Sequence, residues 1–218
     1  MEIRYEKVRR EVMEAGMKMA GSHLVVGTWG NVSARIPGED LMAITPSGMD
    51  YDTIKVEDIV IMDFNGNVID GDRVPSIEFG LHGAIYKSRC DVNAVVHTHS
   101  EYCTAMAIAR KPIPGAAEDL VQIVGGDVRV SEYALPGTPE LGVAAVKALE
   151  NRNAAILANH GCVAASKDLK ETLKVAAVVE KSAKATLFAQ LYGGVVELQQ
   201  SEIDAMRNFY LNKYGQRR

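Results

Sequence analysis

The chain has 218 residues, 47% hydrophobic and 24% charged, with 24 basic against 28 acidic side chains and a net charge of −4. That is the make-up of a globular domain large enough for one core. It offers no basic face to nucleic acid, and no apolar run reaches the roughly 18 residues of a membrane span. The first seven residues are mixed in charge and lack the apolar core of a secretory leader. Cys90, Cys103 and Cys162 form neither a paired framework nor a C-x-x-C site, so a reducing cytoplasm is expected.

In chain order, Val8, Val12, Ala15 and Met19 mark the buried face of a first helix that stops near Gly21. A glycine-bearing turn, Gly27 to Ser33, follows. Leu41 to Ile44 reads as a strand ending in the turn Thr45-Pro46-Ser47-Gly48. Ile59 to Phe64 and Asn67 to Ile69 flank Asn65-Gly66, a strong hairpin signal. Ser76 is placed as the N-cap of a helix carrying Phe79, His82, Ala84 and Ile85. A strand then leads into His97, and a helix over Glu101 to Ala109 is broken by Pro112 and Pro114.

A helix over Asp119 to Val124, a strand over Asp127 to Tyr133 and a helix from Glu140 to Leu149 come next. Ala154 to Ala158 leads into His160, a long helix covers Leu169 to Leu191, and a final helix or tail carries Met206, Tyr210 and Tyr214. Helices and strands interleave, with a hairpin inside the sheet and no repeat or linker. The expected fold is a single three-layer α-β-α domain, 1–218, around a mixed, largely antiparallel sheet. The tail from about residue 200 is expected to fold over the active site.

The informative chemistry lies in His97-Thr98-His99. Side chains alternate along a strand, so these two imidazoles share one side at the end of the apolar run Ala94-Val95-Val96. Such polarity is costly there unless strong partners are found. His160, sixty-one residues after His99, follows a second apolar run and can complete a trio that only folding unites. Three imidazoles with positions left over describe a catalytic metal site. Glu78, at a helix start where the macrodipole favours a carboxylate, is the nearest candidate for an acid/base. His23 and His82 read as structural histidines, although His82 lies one turn from Glu78 and can touch it. The turns Gly27 to Asn31 and Thr45 to Gly48 can offer N–H groups to an anion.

Five segments occur together: Gly30-Asn31-Val32-Ser33, Thr45-Pro46-Ser47-Gly48, Ser76-Ile77-Glu78, Val95 to His99 and Asn159-His160-Gly161. In this order and spacing the chain resembles the class II aldolase and epimerase family over roughly residues 5 to 195. The resemblance implies one divalent metal per subunit on His97, His99 and His160, usually zinc, with Mn2+, Co2+ or Fe2+ as alternatives. It makes Glu78 the catalytic acid/base and places Gly30, Asn31, Ser47, Gly48 and Ser76 around a substrate phosphate. It also implies a homotetramer with active sites at subunit junctions, a small phosphorylated sugar as substrate, and no nucleic-acid or membrane partner.

The leading expectation is reversible cleavage of a ketose 1-phosphate, similar to L-fuculose 1-phosphate, into dihydroxyacetone phosphate and a short aldehyde through a metal-stabilised enediolate. Two departures bear on it. Ile77 stands where the family's fuculose-phosphate aldolases have a second serine before the glutamate. Ala116-Ala117-Glu118-Asp119 stands where they place a proton-donating tyrosine. Glu118 and Asp119 bring in the epimerase, dehydratase and decarboxylase branches, and Tyr210 and Tyr214 are the alternative second donors. A methylthioribulose-phosphate substrate, an adducin-like interaction module and a zinc hydrolase complete the readings.

Overall fold

The computed structural model describes residues 4–216, so the first three residues of the stretch read for a leader lie outside it. Helix α1 (Glu6–Gly21) is followed by β1 (Asn31–Arg35), β2 (Leu41–Ile44) and the hairpin β3 (Val60–Asp63) and β4 (Val68–Asp70). Next come α2 (Phe79–Ser88), β5 (Ala94–Thr98), α3 (Glu101–Ala109), α4 (Glu118–Val124) and β6 (Arg129–Val130). The chain then runs through α5 (Pro139–Leu149), β7 (Ala154–Leu157), β8 (Gly161–Ser166), α6 (Leu169–Leu191) and α7 (Gln200–Asn212).

Among the described residues, eight strands form one sheet in the order β4-β3-β2-β1-β5-β8-β7-β6. Neighbours are antiparallel except β6 and β7, which run parallel. Strand alternation divides the core. Val96 joins Val12, Ala15, Cys103, Val175 and Val179 on the face covered by α1, α3 and α6. Val95 joins Leu81, Ile85, Leu141 and Ala145 on the face covered by α2 and α5. Helices on both faces of a mixed sheet give the expected α/β layering. Among the described residues no helix is long and apolar enough to cross a membrane.

Several elements differ from the sequence expectation. Asn31–Arg35, read as the end of a turn, is a central strand whose Asn31 and Ser33 sit opposite His97 and Val95. Gly161–Ser166, which had no predicted element, pairs with both β5 and β7. Its glycine, serine and two alanines carry little strand propensity, so its neighbours decide its conformation. The strand expected over Asp127 to Tyr133 shortens to Arg129–Val130, an edge with only β7 to pair against. Glu78 rather than Ser76 precedes α2 as its N-cap residue, and the Ser76 hydroxyl instead accepts the Glu78 N–H at 3.3 Å.

β7 and β8 form a tight hairpin in which Leu157 pairs with Gly161. Asn159 takes the left-handed conformation at φ 58°, which asparagine tolerates, and the His160 N–H donates to the Leu157 carbonyl at 3.0 Å. A Cβ on Gly161 would lie 2.2 Å from the Thr98 carbonyl oxygen of β5. Glycine is therefore needed for β8 to approach the strand that carries His97. Gly161→Ala is expected to cost ~1–3 kcal/mol through overpacking, lowering the thermal midpoint by several degrees. An unchanged melting curve would show that the two strands separate freely.

Candidate metal centre and active site

The pairing of β5 with β8 of the β7–β8 hairpin brings His97, His99 and His160 to one end of the sheet. Their ring centroids are 4.6 to 4.8 Å apart in edge-on pairs. Glu78 enters from the start of α2, and one donor atom from each of the four residues lies within 4.8 Å of the others. The Glu78 carboxylate oxygens approach the ring nitrogens on two sides: Oε2 is 3.3 Å from His97 Nε2, and Oε1 is 3.3 Å from His160 Nε2.

The orientation of His97 is set from behind. Its Nδ1 is 2.9 Å from the Cys162 carbonyl, so Nδ1 carries the proton and Nε2 turns a bare lone pair toward the cluster. His97 Nε2 and His99 Nε2 are 2.9 Å apart. Burial, with His99 as neighbour, pushes the His97 pKa down to about 3. Burial with His97 beside it brings His160 to about 4, and burial lowers His99 against the pull of Glu78. At neutral pH the three rings are uncharged and available as ligands.

The donor set fits a divalent metal. Glu78 Oε1 and His160 Nδ1 are buried without a hydrogen-bond partner among the described residues, and crowded lone pairs with one carboxylate call for a cation. Three imidazole nitrogens and a carboxylate oxygen suit zinc and its first-row neighbours rather than magnesium or calcium.

Comparison with known proteins gives this geometry its context. Residues 10–187 match the family described as Class II Aldolase and Adducin N-terminal domain. The chain belongs to that family. It is 36% identical to a 5-deoxy-D-ribulose 1-phosphate aldolase from Bacillus thuringiensis over 97% of this chain and 98% of that one. It is 38% identical to an L-fuculose phosphate aldolase from Escherichia coli K12 over 85% and 82% of the two chains. A solved L-fuculose 1-phosphate aldolase superposes with a TM-score of 0.91 at 40% identity, over 97% and 98% of the chains. With the His₃Glu cluster intact, this member is an enzyme of the metal-dependent class II aldolases, a carbon–carbon lyase.

Two segments that the sequence resemblance sets around a substrate phosphate are tied to each other through their backbones. The Ser47 N–H donates to Val74 O at 2.9 Å and the Ser76 N–H to Thr45 O at 3.1 Å, which locks Thr45–Gly48 beside Val74–Ser76. Ser47 and Gly48 are exposed there, and Ser76 is buried. Gly30 adopts φ 76°, and a Cβ on it would meet the His97 carbonyl at 2.7 Å, so only glycine lets this loop pass the metal-bearing strand. Asn31 is not on an open loop. It is 3% exposed on β1, and its amide bridges Glu78 Oε2 at 2.9 Å and His82 Nε2 at 2.5 Å.

The second-donor candidates are not brought to the cluster within one chain. The Asp119 carboxylate accepts from Lys181 Nζ at 2.5 Å and Glu118 is exposed at the start of α4. The tail from about residue 200 forms α7. Its Tyr210 donates to Glu171 and accepts from Lys174 at 2.9 Å, and Tyr214 stacks on Tyr210.

Sequence reasoning passed over Trp29, whose ring is 65% exposed and centred 5.6 Å from that of His99. Its signal is an exposed ring beside the half-buried His99, and that needs the fold. Co2+ added to metal-free protein is expected to quench the emission of this single tryptophan, and His99→Ala should remove the quenching. Emission indifferent to Co2+ would argue against a metal beside His99. The depressed imidazoles give a pH signature too. Their folded pKa values lie below the unfolded value near 6.5, so the stability they contribute is complete above pH 6.5. It is lost as pH falls toward 4 and 3. Urea midpoints of the metal-free protein should decline through that window, and a flat profile would contradict neutral buried rings.

Proposed function

We propose that the protein reversibly cleaves a ketose 1-phosphate to dihydroxyacetone phosphate and a short aldehyde, with Glu78 as the proton-transferring base. The observation that carries this reading is the Glu78 carboxylate inside the imidazole cluster, with Oε2 held by Asn31 and Oε1 buried without a partner. His97, His99 and His160 would hold a divalent cation, zinc first, with Mn2+, Co2+ or Fe2+ as alternatives. When bound, that cation supplies Lewis-acid stabilisation for negative charge developing on the substrate's carbonyl oxygen.

The residues of the chain do the rest. In the synthetic direction Glu78 Oε1 takes a proton from the carbon beside the dihydroxyacetone phosphate carbonyl. In cleavage it returns that proton to the same carbon after the carbon–carbon bond has broken. Ser47, Gly48 and Ser76, with Gly30 shaping the adjoining loop, hold the phosphate and so convert binding into orientation of the reacting carbon. Asn31, expected beside that phosphate, also serves the carboxylate with its side-chain amide. Ile77 is 62% exposed and adds no hydroxyl, so the phosphate has one side-chain donor fewer than in the fuculose-phosphate pattern.

Cleavage also needs a group that exchanges a proton with the aldehyde oxygen. Glu118, Asp119, Tyr210 and Tyr214 stay candidates when supplied by a neighbouring subunit of a homotetramer. Leu191, Tyr192 and Val196, 78%, 91% and 90% exposed, support a subunit contact around the end of α6. The three free cysteines fit the cytoplasmic setting expected for such an enzyme.

The substrate is a deoxyketose 1-phosphate of the kind named for the relatives: L-fuculose 1-phosphate, 5-deoxyribulose 1-phosphate or the 5-methylthio analogue. A product assay across these three, with and without chelator, tests the reading. At least one should yield dihydroxyacetone phosphate, and chelation should abolish the yield. Glu78→Gln is expected to keep metal yet slow solvent-proton exchange into dihydroxyacetone phosphate by about 100-fold or more. Undiminished exchange would remove Glu78 as the base, and epimerised product without cleavage would favour the epimerase reading.

A further inference from the structure

Behind Glu78 runs a row of buried polar groups that the chemistry above leaves without a task. Tyr86 OH is 2.8 Å from Ser33 Oγ, and Ser33 Oγ is 2.6 Å from His82 Nδ1. His82 Nε2 is 2.5 Å from Asn31 Oδ1, and Asn31 Nδ2 is 2.9 Å from Glu78 Oε2. All five side chains are buried, with Ser33 and His82 at 0%. The row crosses from β1 to α2 and back, joining residues 47 to 53 positions apart.

Hydrogen-bond polarity gives the row a direction. A carboxylate only accepts, so the Asn31 group facing Oε2 is the amide NH₂, which leaves Oδ1 facing His82. Oδ1 also only accepts, so His82 Nε2 carries the proton. The neutral ring then has a bare Nδ1, which takes the Ser33 hydroxyl proton, and the Ser33 oxygen accepts from Tyr86. Each donor points toward Glu78. Turning the Asn31 amide over would set an acceptor against Oε2 and a donor against the His82 N–H, so His82 forbids the flip. Without it, Asn31 is free to rotate and Oε2 loses the bond that fixes the carboxylate's rotation.

We propose that His82 is a positioning residue for Glu78. Through Asn31 it holds Oε2, and thereby presents Oε1 to the substrate carbon. The inference rests on Glu78 acting as the base. The bland alternative is a strut that merely ties α2 to the sheet. The two differ in what substitution does: glutamine offers an acceptor toward Ser33 and a donor toward Asn31, as the neutral ring does, whereas leucine fills space and offers neither.

The test is solvent-deuteron exchange into dihydroxyacetone phosphate followed by NMR, with metal content and thermal midpoint measured on the same zinc-loaded samples. His82→Leu is expected to lower the saturated exchange rate roughly 10- to 100-fold, with KM within about twofold and the metal retained. His82→Gln should recover to within about threefold of the parent. Ser33→Ala, which touches neither Glu78 nor the histidine trio, should lose exchange about fivefold with KM unchanged and gives an independent reading where His82→Leu does not fold. Parent-like exchange in His82→Leu, or in Ser33→Ala if His82→Leu fails to fold, would overturn the positioning role while leaving the aldolase reading intact. A His82→Gln rate as low as that of leucine would overturn it too. Parent protein that exchanges no deuteron would remove Glu78 as base, and this inference falls with it.

Discussion

A carboxylate and three uncharged imidazoles, two of the four residues buried and two partly buried, with donor atoms within 4.8 Å of one another are stable only with a cation among them or with protons shared between them. The centre of the fold is arranged around that constraint. Each participant comes from a different place: β5, the residue just beyond it, the β7–β8 turn and the start of α2. Two of them are held from behind by the scaffold, His97 by a carbonyl of β8 and Glu78 by an amide of β1. Burial keeps the rings neutral, and neutrality keeps their lone pairs available. The same desolvation that would oppose the cluster without a metal makes it a strong receptor for one.

That arrangement also explains the pattern of small residues around the site. Gly161 lets β8 lie against the Thr98 carbonyl and Gly30 lets the first loop pass the His97 carbonyl, where any side chain would collide with backbone. Backbone cannot retreat without breaking the antiparallel pairing of β1, β5 and β8, the strands that set the positions of His97 and His160. Packing and chemistry are thus fixed by the same contacts.

Much of this was readable in one dimension. The first helix, the Asn65-Gly66 hairpin, α6 and the H-x-H pair have strong periodic or turn signals that depend only on neighbours along the chain. β1 and β8 escaped because Asn31-Val32-Ser33 looks like the end of a glycine turn and Gly161–Ser166 is built of small residues. Both are strands because β5 lies between them and needs hydrogen-bond partners on each edge. The family resemblance sets Asn31 beside the phosphate; as part of β1 its side chain faces inward, where the amide hydrogen-bonds Glu78 and His82. Tyr210 of the tail pairs with Glu171 and Lys174 of α6, contacts that no local pattern announces.

The sequence by itself determined the ligand types, their order and the elements that carry them, because alternation on a strand and capping at a helix start are local. It also determined the family, since five short segments retain both identity and spacing. Only the tertiary structure decided which oxygen of Glu78 accepts from Asn31, that His82 is linked to Glu78 through that amide, and that Asp119 and Tyr210 pair with side chains of α6. Those facts depend on the direction of hydrogen bonds between residues some fifty positions apart, and no local pattern encodes that direction.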